Sequence, residues 1–259
     1  IYGRKASLLE NVSTGGERVA MVQVVDLDRP GSPNSEFTCH LNDSSHLEMK
    51  QLELGETNGK LYELVTTSTA TFDRETQPIY KVIIICNDSG IQAKSSSENF
   101  ALDIADVNDN APIFVDRDVF SMFKSTRTGQ RHFNPKPPTQ FEFSVPENAE
   151  PGAFVGMLTA IDLDEGKNAE IQYYLQKESG DNASLPFVVS REGEVQLLHA
   201  IDREMQDQYE FRVRAENTDN GSLFSTAKVI IHVTDVNDCA PVFTGSSMLE
   251  VSFIHFCAA

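Results

Sequence analysis

Tryptophan is absent from this 259-residue chain, cysteine is limited to four residues, and basic residues are few, with 21 Lys and Arg against 39 Asp and Glu. The net charge of −18 repels phosphate backbones and anionic headgroups, so nucleic acid and anionic membrane surfaces are not expected partners. An acidic excess also keeps proteins soluble, yet it suits a chain that neutralises its carboxylates with cations. Cys39, Cys86, Cys239 and Cys257 are too few and too spread for a disulfide scaffold, and no Cys-x-x-Cys pair is present to hold zinc. Long apolar runs are missing too. None reaches ~18 residues, so no transmembrane helix is expected within the sequence, and Phe253 to Ala259 is far too short to span a bilayer. The chain begins with Ile1 and lacks the apolar core of a signal peptide, so it reads as part of a longer protein. No nucleophile elbow, phosphate loop or dinucleotide fingerprint occurs, and the six histidines (His40, His46, His132, His199, His232, His255) show no metal or triad spacing. The expectation is that this is not an enzyme.

What the sequence does contain is a repeat. Asp106-Val-Asn-Asp-Asn-Ala-Pro112 returns as Asp235-Val-Asn-Asp-Cys-Ala-Pro241, and Asp73-Arg-Glu75 returns as Asp202-Arg-Glu204. The same interval, 129 residues, separates Asp73 from Asp202 and Asp106 from Asp235. Upstream, Asp26-Leu-Asp28 returns as Asp162-Leu-Asp164, and Glu10-Asn11 as Glu147-Asn148. A solvated polar turn would account for any one of these clusters. It does not account for four of them recurring in the same order.

Between the acidic motifs the pattern is β. Tyr80 to Cys86 and Tyr209 to Ala215 place apolar groups at alternate positions, as do Phe37 to Leu41 and Ile171 to Leu175. No long segment carries a helical period. Short strands with turn residues between them predict an all-β sandwich once per repeat, and the length suits two such domains. We expect repeat 1 at 1–111, repeat 2 at 112–240 and the start of a third at 241–259. Residues 116–138 have no counterpart ahead of Glu10 and read as an inserted loop. A basic contact surface built from Lys124, Arg127, Arg131, His132 and Lys136 is the alternative. Cys39 aligns with Tyr173 and Cys86 with Ala215, inward positions on neighbouring strands. Bridges between adjacent strands demand unusual geometry, so two free buried thiols are expected, with a disulfide as the alternative.

Groups such as Asp-x-Asp, Asp-Arg-Glu and Asp-x-Asn-Asp let side-chain and main-chain oxygens converge on a point, where like charges repel unless a cation lies between them. An oxygen-only ligand set without His or Cys favours calcium. The EF-hand loop needs a Glu at its twelfth position, but counting from Asp26, Asp106, Asp162 and Asp235 reaches Phe37, Arg117, Tyr173 and Ser246. EF-hands are excluded.

The ordered set of Glu-Asn, Asp-x-Asp, Asp-Arg-Glu and Asp-x-Asn-Asp-Asn-x-Pro resembles the extracellular repeat of the cadherin superfamily and covers nearly the whole chain. The resemblance implies two tandem Greek-key β-sandwiches joined by a calcium-binding linker that holds three ions. The first ion would take Glu10, Asp73, Glu75 and Asp109. The second would take Glu10, Glu75, Asp106, the Val107 carbonyl, Asp109 and Asp164. The third would take the Asn108 side chain, the Asn110 carbonyl, Asp162, Asp164 and the Asn168 carbonyl. Its last ligand departs from the family pattern. The family has an Asp after the strand ending at Ala215, where the first repeat has Asp88. Here Asn217 takes the place, or Asp219 if the turn is longer. An Asn oxygen brings no charge, so the third position should bind more weakly. Asp26, Asp28, Asn34 and Asp88 would serve a preceding repeat, and Glu147, Asp202, Glu204, Asp235, Asn237 and Asp238 a following one.

The resemblance implies calcium-dependent, homophilic cell–cell adhesion at the extracellular face of the plasma membrane. The partners would be cadherin repeats of the same or a related protein on an apposed cell, with membrane attachment through a segment outside this sequence. The rival reading is a spacer or receptor ectodomain whose repeats supply length and stiffness. Five Asn-x-Ser sequons, at Asn11, Asn42, Asn87, Asn182 and Asn220, agree mildly with an extracellular glycoprotein. Without Trp, the Trp-anchored strand exchange of type I and II cadherins is not available. This points to a protocadherin-like or large atypical member, or to interior repeats of any member.

Overall fold

Alternation decides the sheets. Along Ile79–Asp88, Tyr80, Val82, Ile84 and Cys86 are buried while Lys81 and Ile83 are exposed, the period of a strand with one face on a core. The computed structural model describes residues 6–11, 15–53, 59–125, 136–138, 140–176 and 185–242. Its contacts divide the chain into two units, which part between Val107 and Asn108.

The first unit contains β1 (Ala6–Leu9), β2 (Arg18–Val25), β3 (Phe37–Leu41), β4 (Leu47–Leu52), β5 (Gly59–Thr66), β6 (Ile79–Asp88) and β7 (Ser95–Ala105). They form a four-stranded sheet in the order β1-β7-β6-β3 and a three-stranded sheet in the order β2-β5-β4. β1 runs parallel to β7, and the other pairings are antiparallel. Leu47, Leu64, Phe72 and Leu102 are among the side chains packed in the core.

The second unit contains β8 (Ile113–Phe114), α1 (Arg117–Ser125), β9 (Phe141–Pro146), β10 (Phe154–Met157), β11 (Ala160–Ile161), β12 (Ile171–Gln176), β13 (Phe187–Val189), β14 (Glu194–Leu197), β15 (Gln208–Asn217) and β16 (Phe224–Thr234). The sheet β12-β15-β16-β9 repeats the four-stranded order, with β9 parallel to β16, and β10-β14-β13 repeats the three-stranded one. β8 pairs with β11, and the Thr159 hydroxyl donates to the Val115 carbonyl at 2.6 Å, which ties the chain after Pro112 into this unit. The all-β sandwich expectation holds.

Two expectations are corrected. Cys39 and Cys86 form a disulfide rather than remaining free thiols. They lie directly opposite each other on β3 and β6, and the Asn42 N–H bonding to the Ile83 carbonyl sets the ladder's phase so that they fall at a non-hydrogen-bonded pair. There the Cα atoms approach most closely, here 4.0 Å, and the thiols meet. In the second unit the same place holds Tyr173 opposite Ala215, a large–small pair whose Tyr hydroxyl accepts the Ala160 N–H at 2.7 Å. Burial pushes the Tyr173 phenol up to about 12.

The second correction concerns the insertion, where α1 stands in place of a structureless loop. The Phe120 N–H donates to the Asp116 carbonyl, Asp118 occupies the first turn and Lys124 the last, and Val119, Phe120 and Phe123 make a half-buried stripe. Nine residues are too few for a periodic signal in a window of about 11–18. Of the basic residues weighed as a contact surface, Lys124 lies over the Phe120 ring, Lys136 is exposed, and Arg127, Arg131 and His132 lie outside the described residues. The third-repeat start from residue 243 onward lies outside them as well.

Candidate metal centre

In the first unit the acidic motifs are gathered by Glu10. The residue continues the β1–β7 pairing, its N–H donating to the Ala105 carbonyl at 3.0 Å, and it is 2% exposed. Its Oε2 accepts the Arg74 N–H and its Oε1 the Val107 N–H, both at 2.8 Å. One buried carboxylate thus links the Asp-Arg-Glu turn to the Asp-x-Asn segment. Oxygens of Glu10, Asp73 and Glu75 lie within 4.8 Å of one another. The Thr76 hydroxyl and N–H hold Asp73 in place, and although burial raises its carboxyl, these hydrogen bonds bring it below its usual range. Burial pushes Glu75 up to about 8, with Glu10 adding to the shift and Arg74 opposing it. Asp106 accepts from the Arg74 guanidinium at 2.5 Å, and Glu75 pairs with the same guanidinium.

The second unit repeats this frame. Glu147 is 6% exposed, and its carboxylate accepts the Arg203 N–H at 2.9 Å and the Val236 N–H at 2.6 Å, which hold it below its usual range. Oxygens of Glu147, Asp202 and Glu204 lie within 4.8 Å of one another, and Arg203 Nε reaches Asp235 at 3.0 Å. Asn237 and Asp238 are exposed.

A separate group gathers at the start of the second unit. Asp162 and Asp164 are buried, the Asp164 N–H donating to Asp162 Oδ1 at 3.0 Å. Asn110 Nδ2 donates to Asp164 at 2.7 Å and to Asp109 at 2.8 Å. Asn108 Nδ2 donates to Asn217 Oδ1 at 3.0 Å, while Asn108 Oδ1 is buried without a hydrogen-bond partner. Asn217 Nδ2 donates to the Asn168 carbonyl. In the first unit the Asp28 N–H donates to Asp26, and a Cβ built on Gly90 would meet both Asn34 Oδ1 and Asp88 Oδ1, so Asn34 and Asp88 flank that glycine.

The structure therefore gathers Glu10, Asp73, Glu75 and Asp106 in one unit, and Asn108, Asp109, Asn110, Asp162, Asp164, Asn168 and Asn217 in the other. Carboxylates converging within 4.8 Å, one of them raised to about 8 by burial, fit a cation of calcium's oxygen-seeking chemistry. Motif spacing alone assigns no role to Arg74 or Arg203. The signal was there, since both recur inside the Asp-Arg-Glu motif.

Two four-plus-three sandwiches in tandem, each framed by the same buried Glu and Asp-Arg-Glu turn, define a protein built from repeats of one all-β domain with an acidic motif set. The cadherin domain family model matches residues 141–234. Human protocadherin-1 is 33% identical over 87% of this chain, which aligns to 19% of that protein. The solved structure of protocadherin gamma B2 extracellular cadherin domains 3–6 is 28% identical with a TM-score of 0.67, covering 90% of this chain and 49% of that one. The protocadherin gammaB7 EC3–6 cis-dimer structure is 27% identical with a TM-score of 0.69, covering 93% and 51%. Residues 141–234 belong to the cadherin domain family, and the chain is similar to protocadherin extracellular repeats along most of its length. It spans about a fifth of the length of the curated relatives it matches. Calcium binding is a property of cadherin domains.

Proposed function

We propose that these repeats are part of a rod, stiffened by calcium at the junction between them, in the ectodomain of a cell-surface adhesion protein. The observation that carries this reading is the convergence of the Glu10, Asp73 and Glu75 oxygens within 4.8 Å, repeated at Glu147, Asp202 and Glu204. The residues proposed for the junction are those the family pattern assigns. Glu10, Asp73, Glu75 and Asp109 would hold one ion. Glu10, Glu75, Asp106, the Val107 carbonyl, Asp109 and Asp164 would hold the next. Calcium, when bound, supplies positive charge between carboxylates that otherwise repel, and so couples the two repeats. Glu10 holds the Asp-Arg-Glu turn and Val107 in register, so the oxygens of both motifs are placed before any ion arrives. Adhesion follows from the protocadherin relatives, with repeats of the same or a related protein on an apposed cell as partner.

Among the described residues no helix is long and apolar enough to cross a membrane. The test is aggregation of beads coated with an ectodomain containing these repeats. Calcium-dependent clustering is the expected result. Clustering that persists in chelator, or never occurs, would leave the spacer or receptor role in its place.

A further inference from the structure

Asn217 lies at the end of β15, is fully buried, and stands where the first repeat has Asp88, at the common interval of 129 residues. The two turns share their closing bond and the bond from the residue two places on. The Asp88 N–H donates to the Lys94 carbonyl at 3.0 Å, and the Asn217 N–H to the Leu223 carbonyl at 3.0 Å. Asp88 Oδ1 accepts the Gly90 N–H at 3.0 Å, and Asn217 Oδ1 accepts the Asp219 N–H at 3.0 Å and the Asn220 N–H at 3.1 Å. Asn108 Nδ2 adds a third donor to the same oxygen.

Two backbone N–H groups facing one atom, those of Asp219 and Asn220, fix which end of the amide it is. Only an oxygen accepts them, so the other end must be the NH2 group, and a flip would set N–H against N–H. That NH2 group donates to the Asn168 carbonyl, one of the oxygens the family pattern assigns to the third ion. An aspartate here would satisfy the same backbone donors with Oδ1 and still offer Oδ2 to a cation. The asparagine instead offers two hydrogens of positive polarity and directs one at a carbonyl that the family pattern assigns to the ion.

We propose that Asn217 is not a ligand but closes the third cation position with its own amide, so that this junction takes one calcium fewer than the family pattern. The proposal rests on the calcium reading above. Asp162 and Asp164, which the family pattern assigns to the same position, are buried in this unit, and Asn108 Oδ1 is buried with no hydrogen-bond partner. One added carboxylate is therefore enough to reopen it.

The test is calorimetric titration of the full chain with calcium, wild type against Asn217→Asp. The expected result is one more ion bound by N217D, with the remaining ions bound alike. Equal counts and affinities in the two chains overturn the proposal and leave the calcium reading standing. Absence of calcium binding in both overturns the two together. A second measurement needs no variant. In a 15N-labelled wild-type chain, the Asn217 side-chain NH2 should stay hydrogen-bonded and slow to exchange in chelator and in millimolar calcium alike. Release of that NH2 group on adding calcium overturns the proposal.

Discussion

Arg74 Nε lies 2.5 Å from Asp106 Oδ1, with both side chains nearly buried, at 9% and 12% exposed. The same guanidinium also reaches Glu75, so one arginine holds two acidic side chains of the proposed junction from within the protein. Removing it leaves the nearly buried Asp106 charge without this partner. Arg74→Ala is expected to cost the calcium-free protein about 3 kcal/mol, read as a lower thermal midpoint in chelator, and saturating calcium should recover most of the loss. Arg203→Ala, in the matching but more exposed pair with Asp235, should cost far less. Equal losses at the two positions would show that burial does not set the strength of this pairing.

The Glu75 carboxyl makes stability pH-dependent in the absence of calcium. Its ordinary value is 4.5, and burial in the fold raises it to about 8. Between these values the folded state holds a proton that the unfolded state has lost, so stability falls as pH climbs from about 4.5 to about 8 and levels off above. Denaturant midpoints in chelator across that range should show the decline, and Glu75→Gln should flatten it. A midpoint that rises over the same range contradicts the assignment.

Asp109, like Glu10 and Glu75, is placed by the family pattern in both of the first two ion positions. Asp109→Ala is expected to abolish calcium-dependent protection from proteolysis near Pro112, while the wild-type chain is cut there readily only in chelator. Cleavage indifferent to calcium and to the substitution would remove Asp109 from the ligand set.

The Cys39–Cys86 bridge closes a loop with a sequence separation of 47. Replacing both residues by alanine is expected to cost about 2–4 kcal/mol. Reductant should lower the unfolding midpoint of the wild-type chain, with no comparable effect through this pair in the double variant. If reductant leaves the wild-type midpoint unchanged, the bridge contributes nothing to stability.

The sequence by itself determined the parts that rest on repetition. Period-two alternation from Tyr80 to Cys86 and from Tyr209 to Ala215 specified β-strands, because a strand with one buried face must alternate. Motifs returning after 129 residues specified two copies of one sandwich and identified the acidic residues. Tertiary structure decided what depends on phase and on which atom of a side chain points where. Cys39 and Cys86 were legible as neighbours, but their oxidation follows from falling at a non-hydrogen-bonded pair, which the residue pattern does not reveal. Helix α1 was hidden because two turns carry too little periodicity. Arg74 was visible inside its motif, yet its pairing with Asp106, 32 residues away, needed the fold. Asn217 could be read as a weaker ligand. Only the backbone donors of its turn, aimed at a single oxygen, show that its NH2 group faces the Asn168 carbonyl.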